Sequence, residues 1–339
     1  MLDPAHYPYL ADILAQPQAL DATAAALVRQ QMPAVLPQSI EQGMPLILTG
    51  MGASYFALLP LYRRLLEAGI TATLIETSEL LLSGLHLQPG KTVIAISQSG
   101  ESVEIVRLLS DRHPDVAVFG ITNSRGSTLD RLASASLLMA AGKEAAVSTK
   151  TYLASLMTLR WLGDQSLGRA SHLPAAGEAV ATYLSNWAAH VDQMSDFAQA
   201  LGNLFLVGRG DSLATAAAGA LIMKESVRLP AEGLSGAAFR HGPLEMAAER
   251  GTGILVFTGT GDAVPLNDRL ATDITAMGGR VITVSPTAQS EPFRLPDVPA
   301  EFLALVEILP VQLLTLAIGK ARNMKAGEFR HMGKVTTIE

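Results

Sequence analysis

Three serines and a glutamine fall within six residues of the chain, in the segment Ser97-Gln98-Ser99-Gly100-Glu101-Ser102. This segment follows a buried apolar run, Thr92 to Ile96, and precedes an amphipathic run that begins near Ser102. A turn from strand to helix presents unpaired backbone N–H groups at the positive end of a helix dipole. The three hydroxyls add hydrogen-bond donors without adding charge, whereas a helix cap needs only one. The pattern therefore favours a phosphate-monoester site over an ordinary cap.

Two further hydroxyl groups are candidates for the same site. Ser54 follows the Gly50/Gly52 turn, and Ser148 precedes Thr149-Lys150 at the start of a helical pattern. In a doubly wound sheet, ligands sit beyond the carboxyl ends of the strands, where both segments could reach. For Ser148, helix capping explains the position equally well. No segment has the glycine spacing of a nucleoside-triphosphate-binding P-loop or of a dinucleotide-binding motif.

Glu225 lies at the end of an alanine-rich segment, Leu213 to Met223, that is predicted to be helical. The negative end of a helix dipole disfavours a further negative charge. This carboxylate should therefore be a stronger base than glutamate in water, as proton abstraction beside a carbonyl requires. From position alone, a solvated surface glutamate is the more common case.

His241 stands against Gly242-Pro243, after a glycine- and serine-rich segment, Gly233 to Phe239, that is predicted to be a loop. A histidine with a fixed backbone is suited to acid or base chemistry near neutral pH. No metal-ligand spacing surrounds it, so we expect an acid/base role without a metal or another cofactor. A hydrogen-bonded structural histidine explains the position equally well.

The elements that must position these residues follow from short apolar runs that alternate with longer helical patterns. Runs without polar alternation, separated by amphipathic segments, predict buried parallel strands in an α/β fold. The runs are Leu46 to Leu48, Thr92 to Ile96, Ala117 to Ile121, Leu204 to Val207, Ile254 to Phe257 and Val281 to Val284.

The two halves of the chain repeat each other weakly. Leu46 to Ser54 resembles Leu204 to Ser212, and Val93 to Glu101 resembles Ile254 to Asp262 at a similar offset. Two agreeing offsets indicate two tandem doubly wound parallel-sheet domains of the flavodoxin-like type. We predict an N-terminal domain with a leading helix over 1–195 and a C-terminal domain with a tail over 196–339.

Composition excludes several classes of protein. The 339 residues include 31 acidic and 25 basic ones, for a net charge of -6, and no cysteine, so disulfides and thiolate-metal sites are impossible. The acidic balance argues against a nucleic-acid partner. The first residues lack a secretory signal, and the apolar stretch Phe302 to Ile318 is interrupted by Glu307, Pro310 and Gln312. We therefore expect a cytoplasmic protein with no membrane partner, in which this stretch is a buried helix.

Five motifs together carry a resemblance to a known family. They are Ser97 to Ser102, Ser148-Thr149-Lys150, Lys224-Glu225, His241-Gly242-Pro243 and the terminal Lys334-Val335-Thr336. In this order, they resemble the sugar isomerase (SIS) domain family. Along nearly its whole length the chain is similar to the two-domain isomerase half of glucosamine-6-phosphate synthase, also called glutamine-fructose-6-phosphate aminotransferase.

The resemblance implies a role for each candidate residue. It implies that the 6-phosphate of a sugar is bound by Ser97, Gln98, Ser99 and Ser102, and that the sugar pocket is lined by Ser54 and Ser148. It further implies that Glu225 moves a proton between carbons 1 and 2, and that His241, from a neighbouring subunit, assists ring opening. Lys334 falls where the family has a tail lysine that engages the open-chain ketose. A homodimer with shared active sites follows.

Two departures from the family bear on the reaction. The glutamine-dependent synthases carry an amidotransferase domain with a cysteine nucleophile, and this sequence has no cysteine. In addition, Ile222 replaces a lysine, and Lys325 and Phe329 stand where the family usually has an acidic residue and a proline. We therefore expect an enzyme that converts glucosamine 6-phosphate to fructose 6-phosphate and ammonia. The alternatives are another aldose-ketose phosphosugar isomerase, a deglycase of fructosyl-amine phosphates, or a non-catalytic sugar-phosphate sensor.

Overall fold

The computed structural model describes residues 2–171, 173, 175–331 and 333–336. These residues form two units, each built from several separate parts of the chain. The first-sheet unit comprises the described residues of 18–144, 150–174 and 331–339. The second-sheet unit comprises those of 1–17, 145–149 and 175–330.

The secondary structure alternates between helices and strands as an α/β fold requires. The strands are β1 (Leu46–Gly50), β2 (Ala72–Glu76), β3 (Thr92–Ile96), β4 (Ala117–Thr122), β5 (Ala135–Leu138), β6 (Asn203–Gly208), β7 (Ala231–Ser235), β8 (Thr252–Phe257) and β9 (Val281–Val284). The α-helices are α1 (Pro8–Leu14), α2 (Gln16–Arg29), α3 (Val35–Glu41), α4 (Gly52–Ala57), α5 (Leu59–Glu67), α6 (Thr77–Ser83), α7 (Val103–Asp111), α8 (Thr128–Leu132), α9 (Lys150–Ser166), α10 (Ala175–Leu184), α11 (Trp187–Gln193), α12 (Ser195–Gln199), α13 (Ser212–Val227), α14 (Gly236–Arg240), α15 (Ala263–Ala276) and α16 (Leu303–Ala321).

The first-sheet unit contains a five-stranded parallel sheet in the order β2-β1-β3-β4-β5. From β1 the chain turns towards β2, whereas from β3 it turns the other way, towards β4. The connections therefore diverge at the carboxyl ends of β1 and β3, where Gly50 pairs with Ile96. This is the topological switch point, at which ligands bind in open α/β sheets.

One face of this sheet is covered by α7. Its buried side chains Ile105 and Leu108 pack in one cluster with Val93 of β3 and Val118 of β4. Full burial of an aliphatic side chain of this size stabilises the fold by about 1.5–3 kcal/mol. The packing fixes the start of α7, and with it the loop that leads from β3, against a rigid sheet.

The second-sheet unit contains a four-stranded parallel sheet in the order β7-β6-β8-β9. This order repeats the order of the first four strands of the other sheet, as the duplicated segments predict. The segment Ala300–Ala321, which ends with α16, is long and apolar enough to cross a membrane by length and composition. However, 94% of its apolar 18-residue window is buried inside the protein. This is the environment of a core helix, as the polar interruptions of the stretch predict.

The polar side chains of α16 are bound within the same unit. Glu307 accepts hydrogen bonds from Ser212 Oγ at 2.7 Å and from Thr215 Oγ1 at 3.1 Å. The amide of Gln312 exchanges hydrogen bonds with the amide of Gln16 at 2.8 and 3.0 Å. Residues at the beginning of the chain are therefore part of the core of this unit.

The predicted α/β class with two doubly wound parallel sheets is confirmed, and all six predicted strands are present. Three strands, β2, β5 and β7, are not among the predicted ones. They lie at sheet edges, and most of their residues are only partly buried. The predicted loop from Gly233 to Phe239 is wrong: it contains the end of β7 and most of α14. The domain boundary at 195/196 stays a prediction, since the two units are not contiguous in sequence.

Candidate functional site

The serine loop, Ser97 to Ser102, lies at the switch point of the first sheet, between β3 and α7. Its backbone is tied to the neighbouring connection after β4: the Asn123 N–H donates to the Gln98 carbonyl at 3.0 Å, and the Leu129 N–H donates to the Gly100 carbonyl at 3.1 Å. These bonds occupy carbonyl groups, which an anion would repel. They therefore hold the loop without using the hydroxyl hydrogens of its serines.

The serine hydroxyls inside the loop accept hydrogen bonds from its own backbone. The Gly100 N–H donates to Ser97 Oγ at 3.2 Å, and the Glu101 N–H donates to Ser99 Oγ at 3.1 Å. A hydroxyl that accepts a bond still has its O–H hydrogen to donate. Among the described residues, no acceptor takes the hydrogen of either group. Both hydroxyls are therefore prepared to bind an anion.

Gly100 makes this loop conformation possible. Its φ is +66°, a region that favours glycine, and a Cβ added there would lie 2.2 Å from Ser127 Oγ and 3.0 Å from Thr122 Oγ1. The loop thus approaches the next connection too closely for any side chain at this position.

The helix-cap explanation of the loop is not supported by the geometry of Ser102. Ser102 occupies the N-cap position of α7, yet within the described residues its side chain makes no capping hydrogen bond. The first N–H of the helix, that of Val103, instead donates to the Thr336 carbonyl at 3.2 Å. The Ser102 hydroxyl therefore remains available, like those of Ser97 and Ser99.

The Gly50–Ser54 turn lies at the same edge of the sheet, because β1 and β3 are paired in register through Gly50 and Ile96. A Cβ on Gly50 would lie 3.0 Å from the Ile96 carbonyl oxygen, so glycine permits the close approach of the two strand ends. Ser54 is half-buried in the first turns of α4. The structure thus brings Ser54 to the same switch point as the serine loop.

The tail residues 333–336 also belong to the first-sheet unit. Lys334 Nζ lies 2.5 Å from Glu144 Oε2, and the Glu144 side chain is completely buried. Glu144 also accepts the Thr151 N–H at 3.0 Å and the Thr151 hydroxyl at 2.6 Å, which caps the start of α9. Sequence reasoning missed Glu144, because nothing in its neighbourhood distinguishes it from a surface glutamate.

Glu225 lies in the second-sheet unit, on α13, which extends two residues past it to Val227. It is half-buried, and the buried Ile222 lies one turn before it. Its neighbour Ser226 lies 3.3 Å from the hydroxyl of the buried Tyr9. Burial raises the pKa of Tyr9 to about 12, and the nearby Glu225 carboxylate adds to the increase. The end of α13 is thus a fixed, partly buried support for this carboxylate.

His241 also lies in the second-sheet unit, immediately after α14, which is capped by the Ser235 hydroxyl. Its imidazole is exposed and has no hydrogen-bond partner among the described residues. Gly242 has a φ of +138°, which only glycine adopts readily. The alternative of a hydrogen-bonded structural histidine is therefore not supported by the described part of this chain.

Ser148 lies in the segment 145–149, which packs with the second-sheet unit through a 2.7 Å bond from the Ala145 N–H to Asp12 Oδ2. The candidates thus divide into two groups. The first-sheet unit holds Ser54, Ser97, Gln98, Ser99, Ser102 and Lys334, and the second-sheet unit holds Ser148, Glu225 and His241. Their roles stay predictions. In the described part of the chain, no group of three or more His, Asp and Glu side chains could hold a metal ion.

Comparison with known proteins identifies the class that this fold and loop define. Residues 40–163, which contain the serine loop, match the family model described as SIS domain, so the predicted SIS domain is confirmed over this part of the chain. The chain is 31% identical to the glutamine–fructose-6-phosphate aminotransferase [isomerizing] of Pyrococcus horikoshii over 87% of its own length and 52% of the relative. It thus spans about half the length of the curated relatives that it matches.

Solved structures support the same fold. The C-terminal domain of glucosamine-fructose-6-phosphate aminotransferase from Francisella tularensis superimposes with a TM-score of 0.83 at 20% identity, covering 96% of this chain and 100% of that one. A glucosamine-6-phosphate deaminase from Thermotoga maritima superimposes with a TM-score of 0.75 at 18% identity, covering 94% and 100%. Both structural matches include the residues of both sheets.

Proposed function

We propose that this protein is a phosphosugar isomerase that converts glucosamine 6-phosphate and water to fructose 6-phosphate and ammonia. The observation that carries the proposal is the serine loop at the switch point, with three hydroxyls positioned to donate and the Gln98 and Gly100 carbonyls bound to the connection after β4. An isomerase of this kind is supported by the names of the curated relatives, and a deaminase by the name of the Thermotoga maritima structure.

The proposed reaction begins when the serine loop binds the 6-phosphate. Neutral hydroxyl and N–H donors at a helix N-terminus can bind a dianion without a lysine or arginine. His241 assists ring opening by transferring the proton between the ring oxygen and the C1 hydroxyl. The phosphate remains fixed, so the aldehyde end of the open chain has a defined position.

Glu225 then carries out the proton transfer. Its carboxylate removes the proton from carbon 2 of the open-chain aminoaldehyde while a proton passes from the ammonium group to the carbon 1 oxygen, which gives an enolamine. It then returns a proton to carbon 1, which gives fructosimine. Water adds to carbon 2, ammonia leaves, and the ketone of fructose 6-phosphate forms. Lys334 engages the open-chain ketose, and Ser54 and Ser148 contact its hydroxyls. All atoms balance without an oxidant or a metal ion.

The test is incubation of the protein with glucosamine 6-phosphate, with ammonia and fructose 6-phosphate measured by coupled enzymes. Glu225→Gln should abolish turnover and leave substrate affinity within about threefold, because the serine loop is unchanged. The matched control is Glu232→Gln, an exposed glutamate of β7 in the same unit. Full activity in Glu225→Gln would refute the mechanism.

Ser99→Ala tests phosphate binding separately. The loss of one hydrogen bond to a charged group costs about 1.5–3 kcal/mol, so affinity should fall roughly tenfold to a hundredfold. Ser110→Ala, at an exposed serine of α7 outside the loop, is the control. A panel of aldose and ketose 6-phosphates and fructosyl-amine phosphates would distinguish the deaminase from an isomerase or a deglycase. Binding without any turnover would instead indicate a sensor.

A homodimer with shared sites is supported by the exposure of His241, which has no hydrogen-bond partner in the described part of its own chain. Mixing inactive His241→Ala and Glu225→Gln subunits tests this arrangement. If His241 acts on the site of a neighbouring subunit, random mixing restores one intact site in half of the dimers, or about a quarter of wild-type activity. If no activity returns, both residues act within one subunit. A cytoplasmic location stays a prediction.

A further inference from the structure

The first-sheet unit contains a buried carboxylate outside the serine loop, that of Glu144. It is completely buried, and its two oxygens accept from the Thr151 backbone, the Thr151 hydroxyl and the Lys334 ammonium. A helix cap alone does not need a buried charge, since an uncharged Ser, Thr or Asn serves as well. A buried carboxylate is costly unless a cation compensates for it, and Lys334 supplies that cation.

The same tail has a second anchor at the serine loop. The Thr336 carbonyl accepts the N–H of Val103, the first residue of the helix that follows the loop. Lys334 precedes Thr336 by two residues, which span at most about 7 Å. The two anchors therefore hold the backbone of Lys334 close to the serine loop, while Glu144 fixes the direction of its side chain.

We propose that Glu144 is a positioning residue for the tail lysine. Its buried carboxylate holds the Lys334 ammonium beside the phosphate-binding loop, where the carbonyl end of an open-chain sugar phosphate would reach it. This inference rests on the proposed function for the identity of the substrate. The inference assigns two effects to Glu144. Glu144 attaches the tail to the first-sheet unit, and it acts on the reaction only through Lys334.

The test compares Glu144→Gln, Lys334→Met and the double variant. Glutamine keeps the shape of Glu144 and one oxygen for the Thr151 N–H, but it has no charge for Lys334. We expect kcat to fall about tenfold to a hundredfold in Glu144→Gln, with KM changed less than about threefold because the serine loop is intact. The double variant should be within about twofold of Lys334→Met alone, since Glu144 then has no lysine to position.

Thr151→Val is the matched control for capping. It removes one hydrogen bond to Glu144 and keeps the charge, so kcat should stay within about threefold of wild type. Should Thr151→Val reproduce the effect of Glu144→Gln, or should Glu144→Gln reduce kcat equally in the Lys334→Met background, Glu144 is only structural and the inference is overturned.

Amide hydrogen exchange of Val103, whose N–H donates to the Thr336 carbonyl of the tail, provides a readout independent of activity when it is measured without substrate. We expect at least about tenfold faster exchange in Glu144→Gln than in wild type and in Thr151→Val. Unchanged exchange would overturn the anchor whatever the activity. If the exchange results hold while wild type converts no sugar phosphate, the anchor stands and the proposed function fails.

Discussion

Replacement of Glu307 by glutamine should change how the stability of this protein depends on pH. Glu307 is completely buried in α16 and accepts hydrogen bonds from Ser212 and Thr215 in the first turn of α13. Burial raises the pKa of this carboxyl to about 7, from an ordinary value of 4.5. The two hydroxyls oppose the increase in pKa, and the nearby charge of Asp211 adds to it.

The direction in which stability changes with pH follows from proton binding to Glu307. Between pH 4.5 and about 7 the folded protein keeps the Glu307 proton, whereas the unfolded chain loses it. The free energy of unfolding therefore falls as pH rises through this window, and below the window the contribution is fully present. The change in pKa corresponds to a loss on the order of 3 kcal/mol. Glutamine, which has the shape of the protonated acid and does not titrate, should remove that loss.

The measurement is urea unfolding of wild type and Glu307→Gln from pH 4.5 to pH 8. We expect the variant to gain stability over wild type as pH rises, until the difference is constant above pH 7. Glu249→Gln, at an exposed glutamate of the same unit, should follow wild type throughout. Parallel curves for wild type and Glu307→Gln would show that Glu307 is ionised in the folded protein at pH 5, contrary to the reasoning.

Two other substitutions test packing around the serine loop and the first-sheet unit. Gly100→Ala should weaken sugar-phosphate binding at least about tenfold, because its Cβ would meet Ser127. Gly126→Ala, with a similar φ of +76° but no atom within 4 Å of its Cβ, should change affinity less than about twofold; equal effects in a titration would contradict this. Asp164→Asn should reduce the free energy of unfolding by about 3–5 kcal/mol, because Arg64 and Arg160 would lose a carboxylate at 2.5 and 2.9 Å. A loss below about 1 kcal/mol in urea unfolding would refute that explanation.

The central strands and the serine loop were predictable because each depends on local sequence. A strand buried on both faces needs an uninterrupted apolar run, and β1, β3, β6 and β8 have one. Edge strands constrain the amino-acid sequence less than central strands do. In β7 the sequence Ala231–Ser235 includes Gly233, whose Cβ would lie 2.4 Å from the Ala216 carbonyl oxygen. The glycine that suggested a loop is in fact required by the close packing of β7 on α13.

The remaining parts of the candidate site depend on contacts between residues far apart in sequence. Glu144 and Lys334 are separated by 190 positions, and Glu307 meets Ser212 across 95. Periodicity and local motifs contain no information about such pairs. The sequence therefore predicted Lys334 only by family resemblance, and it indicated Glu307 only as an interruption of an apolar stretch.

The reciprocal amide pair of Gln16 and Gln312 has a consequence for synthesis on the ribosome. The two residues are separated by 296 positions, which take roughly 15 to 60 s to translate at about 5–20 residues per second. The second-sheet unit cannot complete its core before α16 has emerged. Until then Tyr9 and Gln16, which are buried in the finished unit, lack their hydrogen-bond partners Thr315 and Gln312 in α16, so the polar groups of the nascent amino terminus remain exposed to water.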